Sequence, residues 1–186
     1  MLRSLLIRYR KTEDGAATVE FVVLFPLFIA IVLAVFESGW LMTKYMMLDR
    51  GVDMAVRDLR VGKIPNPGHD DIKTAVCDYS KMIRDCDTTL KIQLITLDAA
   101  NNPPDMNTIQ CYDRGVDKDL QVASDFATAG GARSELMFVR ACVLVDPILP
   151  GIGFGLLLPQ ATKDANGNWT GGHQMVSYTA FKNEPV

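Results

Sequence analysis

Histidine is scarce in this chain, with one residue at 69 and one at 173, and none of the four cysteines stands in a C-x-x-C pair. Zinc sites usually draw two ligands from one tight turn, so no metal is expected. No Ser/His/Asp or Cys/His set can be assembled without inventing proximity, so no catalytic residue is nominated and no enzyme is expected. A basic excess is missing too. Nineteen Lys and Arg face 22 Asp and Glu, for a net charge of −3, which argues against nucleic acid as the main partner. Gly151-Ile152-Gly153-Phe154-Gly155 lacks the preceding strand and following ribose-binding acid of a nucleotide loop. It reads as a turn, and no cofactor is implied. Asn168-Trp169-Thr170 fits a glycosylation sequon but is better explained as an exposed turn. Repeats and low-complexity tracts are lacking.

Charge is also missing where it matters most. Between Ala16 and Thr43 only Glu20 and Glu37 are charged, and the sixteen residues from Phe21 to Phe36 have none. With Ser38 to Thr43 added, the stretch can cross a hydrocarbon core of roughly 30 Å at about 1.5 Å per residue. Pro26 would break the interior of a soluble helix but is tolerated in a membrane one. A secretory signal peptide shares the basic start (Arg3, Arg8, Arg10, Lys11). It would have a shorter apolar run and an A-x-A-like site after it, whereas here helical periodicity continues. Met42, Tyr45, Met46, Asp49, Val52, Val56 and Leu59 recur at three- and four-residue steps, and stop signals arrive only at Gly62, Pro65 and Pro67. The spacing predicts one helix from about Ala16 to Val61, on the order of 70 Å long.

Beyond it, Asp70 or Asp71 can cap a second helix through about Arg84, with Ile72, Val76, Tyr79 and Ile83 as its apolar stripe. Leu90 to Leu97 alternates as a strand, with Ile92, Leu94 and Thr96 on one face. Asn101 to Asp105 is a loop. Glu135 to Asp146 is the strongest strand, setting Met137, Val139, Ala141 and Val143 opposite Phe138, Arg140, Cys142 and Leu144. Pro147, Pro150 and Pro159 punctuate an apolar connection. Asp164 to Gly172 reads as a hairpin tip before a last strand from Met175 to Phe181. The expected fold class is α+β: a long N-terminal transmembrane helix, a short second helix and a small antiparallel sheet.

An even set of cysteines suits two disulfides in an oxidising compartment; free buried thiols and a metal site are the alternatives. Cys77 and Cys86 flank the end of the second helix and can meet by a short chain reversal, which leaves Cys111 and Cys142.

Gly15-Ala16-Ala17-Thr18-Val19-Glu20-Phe21 sits where the basic leader meets the apolar helix. Here the chain resembles type IV pilins and pseudopilins, and specifically the TadE family of tight-adherence (Tad/Flp) pilus biogenesis. The resemblance implies that a prepilin peptidase cuts between Gly15 and Ala16. It makes Glu20 the fifth mature residue and, with Phe21, assigns it to assembly, the carboxylate pairing with the new terminal amine of an adjacent subunit. A side-chain-free glycine lets the backbone approach a protease closely, and a carboxylate at the bilayer edge must find a partner. Pro26, Glu37 and Gly39, then Ala55-Val56-Arg57, continue the likeness. Cys77 and Cys86 match a cysteine pair that some members carry. Val139-Arg140 with Pro147, and the terminal Ala180 to Pro185, look like family signatures as well. Ala141-Cys142 departs from the more aromatic strand expected, and Cys111 has no counterpart there.

Four divisions follow: a cytoplasmic basic leader (1–15), a transmembrane helix (16–43), its extramembrane continuation (44–64) and a small periplasmic α+β domain (65–186). The expected function is that of a TadE-like minor pseudopilin in the bacterial inner membrane, single-pass with its N-terminus cytoplasmic. Its partners would be a prepilin peptidase, other Tad pilins or pseudopilins, and secretion platform proteins, with extraction into a short pseudopilus. A single-pass ligand-binding or sensory protein with a periplasmic domain is the competing reading, and a membrane-anchored periplasmic enzyme stands third.

Overall fold

The structure, a computed structural model, describes residues 16–64, 68–97, 111, 136–163, 165 and 169–182. Helix α1 spans Ala16–Arg60, 45 residues with Pro26 inside it, or about 68 Å at 1.5 Å per residue. Its two halves live in different surroundings. Up to Phe36 the large apolar side chains are mostly exposed. From Leu41 onward, Leu41, Leu48, Val52, Ala55, Val56 and Leu59 are buried in the core, at the spacing that keeps one helix face against a partner. Gly62, at φ 68°, follows the helix, where its N–H closes on the Leu59 carbonyl.

Helix α2, His69–Tyr79, crosses the outer half of α1 and buries Ile72 and Val76. The expected cap, Asp70 or Asp71, lies inside the first turn instead. Gly68 precedes the helix, its N–H donating to Asp71 Oδ2 at 3.1 Å. Nor does the helix run on to Arg84. It stops at Tyr79 because Ser80 is fully buried against α1, its hydroxyl donating to the Met47 carbonyl at 3.0 Å. Two tight turns follow, Asp85 takes a positive φ of 56°, and the short turn α3, Cys86–Thr89, begins. That reversal returns Cys86 to Cys77, and Ile83 remains buried within it. The approach of α2 is close at Gly51, where a Cβ would meet the Ser80 hydroxyl and lie 2.9 Å from the Val76 carbonyl oxygen.

Strands β1 (Lys91–Leu97), β2 (Leu136–Val145) and β5 (His173–Lys182) form an antiparallel sheet in the order β1-β2-β5. Ile92 and Leu94 are fully buried on one face of β1, as their alternation requires. β2 departs from the two-faced pattern: every residue from Val139 to Val145 is buried, because it is the central strand and both of its faces are covered. Buried Arg140 is satisfied across the ladder by its register partner Gln93, whose Oε1 accepts from Nε at 2.7 Å and from Nη2. β3 (Ala161–Lys163) and β4 (Trp169–Gly171) make a separate two-stranded hairpin, so the expected hairpin returns through β4 and not through β5. β5 lies on α1 and contributes Met175 and Phe181 to the core. The Asn101 to Asp105 loop, Glu135 and the Asn183 to Pro185 tail fall outside the described residues.

Candidate functional site: the anchor helix and its edge loop

Among the described residues nothing covers the first half of α1. Its most apolar 18-residue window has a mean hydropathy of 2.8 and no buried residue. Val19, Phe21, Leu24, Leu27 and Phe36 are all more than half exposed. Such a surface is costly in water, by roughly 25 cal/mol per Å² of apolar area, and its length suits a bilayer. One long apolar N-terminal helix of this kind fits a single-pass membrane protein.

Two carboxylates punctuate the span and meet opposite fates. Glu20 is exposed on the helix, with no hydrogen-bond or ion-pair partner among the described residues. Ala16 opens α1 and Phe21 stacks on Phe25 at 5.0 Å between ring centroids; Gly15 lies outside the described residues. Glu37 is only 1% exposed. Its Oε1 accepts from the Ile148 N–H at 2.7 Å and its Oε2 from the Leu149 N–H at 3.1 Å, so the loop after β2 is clamped to the helix where the bare span ends. In the sequence Glu37 stands out only as the charge that ends the apolar run and as part of a helix pattern. The signal was present: a carboxylate in an apolar helix needs a partner, an argument applied to Glu20 and equally valid seventeen residues later.

A series of polar links continues outward along the buried face of α1. Lys44 Nζ donates to the Asp146 carbonyl at 3.1 Å and stands 5.7 Å from the centre of the Trp40 ring. The Ser177 hydroxyl of β5 donates to Asp49 Oδ1 at 2.7 Å. Near the helix end, Asp58 Oδ2 accepts from Lys63 Nζ at 2.9 Å and the Tyr79 hydroxyl at 2.8 Å. These two bonds, Lys63's first, hold the Asp58 carboxyl below its usual range, and the Asp58 bond raises Lys63. Burial pushes Lys91 down, with Arg140 adding to it.

Between α1 and β5, Leu41, Tyr45, Phe154, Leu158 and Met175 line an apolar groove of about 410 Å³, with His173 on its wall. Burial lowers the His173 pKa. His69 sits apart, beside Asp70 at 3.0 Å. Among the described residues no three His, Cys, Asp or Glu side chains gather as a metal site would need. The arrangement can pack against lipid or protein, and its bare span carries a carboxylate, Glu20, without a partner among the described residues.

The disulfides join the expected partners. Cys77–Cys86 has Cα atoms 5.7 Å apart and ties the end of α2 to α3; Cys111–Cys142, at 5.1 Å, bonds Cys111 to the central strand.

Residues 15–57 match the family model of TadE-like proteins. The matched segment runs from the proposed scissile glycine through most of α1 and includes both Glu20 and Glu37. No curated protein and no solved structure matches the chain.

Proposed function

From a helix that is TadE-like over residues 15–57, we propose that the chain is a minor pseudopilin of a Tad/Flp adhesive pilus, acting by packing and not by catalysis. A prepilin peptidase removes residues 1–15, and the mature protein begins at Ala16. The leader is cytoplasmic, the span lies in the bacterial inner membrane, and the domain from 65 onward is periplasmic, where disulfides persist. Other Tad pilins or pseudopilins and the secretion platform are its partners.

The observation that carries this reading is the solitary Glu20 on a bare helix. An ionised carboxylate near the bilayer edge is expensive without a partner, and the chain's described residues offer none. The Ala16 amine of a neighbouring copy or pilin supplies the opposite charge. A sensory protein would have no need of that amine. Replacing Glu20 with Gln or Ala leaves the span at least as apolar, so insertion, trimming and stability should survive while pili and surface attachment are lost. A Glu20→Ala strain with normal pili would contradict the proposed pairing.

A further inference from the structure

We propose that the loop of residues 148–157 is a second membrane contact, seated in the bilayer interface beside the span. The inference holds for either orientation of the helix and does not depend on the pilus role.

Composition is the first argument. No charged residue occurs between Asp146 and Lys163, and the intervening run reads PILPGIGFGLLLPQAT. Exposure is the second. Ile148, Ile152, Phe154, Leu156 and Leu157 are 43%, 52%, 39%, 64% and 79% exposed, although the sheet that precedes them is closely packed. Apolar side chains scattered singly over a surface need no explanation, whereas a cluster on one short loop does.

Position supplies the third argument and identifies the occupant. The Glu37 carboxylate fixes the loop's start to the residue after Phe36, itself 69% exposed on the bare span. The apolar loop and the apolar span therefore meet. With Glu20 at one edge, about 20 residues at 1.5 Å each cross the roughly 30 Å core and end near Trp40. Trp40, Lys44 and Tyr45 then lie at the level where aromatic and basic residues anchor helices. Phe154 and Leu158 stand against this stretch, across the groove from Leu41 and Tyr45. A bilayer that covers the span up to Trp40 must reach the loop as well.

The loop is also held in shape. Gly151 takes φ +84°, and a Cβ on Gly155 would collide with the Leu149 carbonyl oxygen, so the 3-10 turn at Gly153–Leu156 is folded tightly onto the clamped residues. The apolar residues are thus presented by a fixed scaffold, whose first N–H groups hold the Glu37 carboxylate. Amphipathic surface elements of this kind bind the headgroup–acyl boundary in proportion to their apolar area.

The test places a tryptophan on the loop of the full chain, reconstituted one copy per nanodisc. Leu157→Trp is introduced beside Trp40→Phe, and Trp40→Phe alone is the blank. Phosphatidylcholine brominated near the headgroup should quench the added fluorescence by about twofold or more, and lipid brominated near the chain end should quench it less, as expected for interfacial depth. Ile152→Trp repeats the measurement on the same loop should the first variant not fold. Fluorescence that no brominated lipid quenches but aqueous iodide does would place the loop in water and overturn the proposal. Fluorescence shielded from both would mean that protein covers the loop, and would overturn it equally.

Discussion

Glu37 and Glu20 are chemically identical groups on one helix, and their surroundings give them separate tasks. Glu37 satisfies two backbone N–H groups, those of Ile148 and Leu149, in a site only 1% exposed. Replacing it with Ala strands both donors, and an unsatisfied buried donor costs about 1–3 kcal/mol. Glu37→Ala should therefore lower the thermal midpoint of detergent-solubilised protein and open the loop to proteolysis near Ile152. Glu37→Gln, which keeps one acceptor oxygen, should lose less. Equal stability of all three would show that the clamp does not contribute. His173 gives a pH dependence of definite sign. Burial lowers its folded pKa, so the unfolded chain takes up the proton first. Stability is then at its full value above the ordinary pKa of about 6.5 and declines as pH falls through it toward the folded value. Thermal midpoints from pH 7.5 down to 5 should fall more steeply for wild type than for His173→Gln; parallel curves would remove His173 as the cause.

At the scale of elements, the crossing of α1 and α2 depends on one missing side chain. A Cβ at Gly51 would meet the Ser80 hydroxyl and the Val76 carbonyl oxygen, and the carbonyl belongs to a helix backbone that cannot swing aside. Gly51→Ala should cost about 1–3 kcal/mol, typical of overpacking, even though Ala favours helix over Gly. Chemical denaturation of detergent-solubilised protein checks this, and an unchanged or raised midpoint would mean that the helices separate freely. The same crossing explains what the sequence could and could not disclose. The length of α1 was legible because apolar positions from Met42 to Leu59 repeat in steps of three and four directly after an uninterrupted apolar run, with stop signals only at Gly62 and beyond, and the span because charge is absent from Phe21 to Phe36. The end of α2 was not, since Ser80 stops the helix by bonding Met47, 33 residues away. The burial of both faces of β2 was likewise hidden. Its alternation describes side-chain direction, whereas what covers each face is settled by elements distant in sequence. Glu37 was visible as a charge, but its partners are backbone N–H groups more than a hundred residues on, and backbone donors leave no mark in a sequence.

Across the whole molecule, one helix serves two solvents. Its first half offers apolar surface to lipid or to neighbouring helices, and its second half is the floor of a folded domain tied on by Glu37, Lys44, Asp49 and Asp58. Two disulfides add covalent ties, Cys77–Cys86 between the two short helices and Cys111–Cys142 onto the central strand. The proposed pseudopilin role requires withdrawal from the membrane without unfolding, which a core beginning at Leu41, beyond the bare span, would permit. The proposed pairing of Glu20 needs a processed N-terminus, since its partner charge is the free amine of Ala16. Intact-mass analysis of the membrane protein from piliated cells tests this directly. The mature wild-type chain should begin at Ala16, lacking residues 1–15, and a bulky residue in place of Gly15 should leave the full-length form in the membrane. A wild-type chain that still begins at Met1 in cells that make pili would contradict the pseudopilin reading.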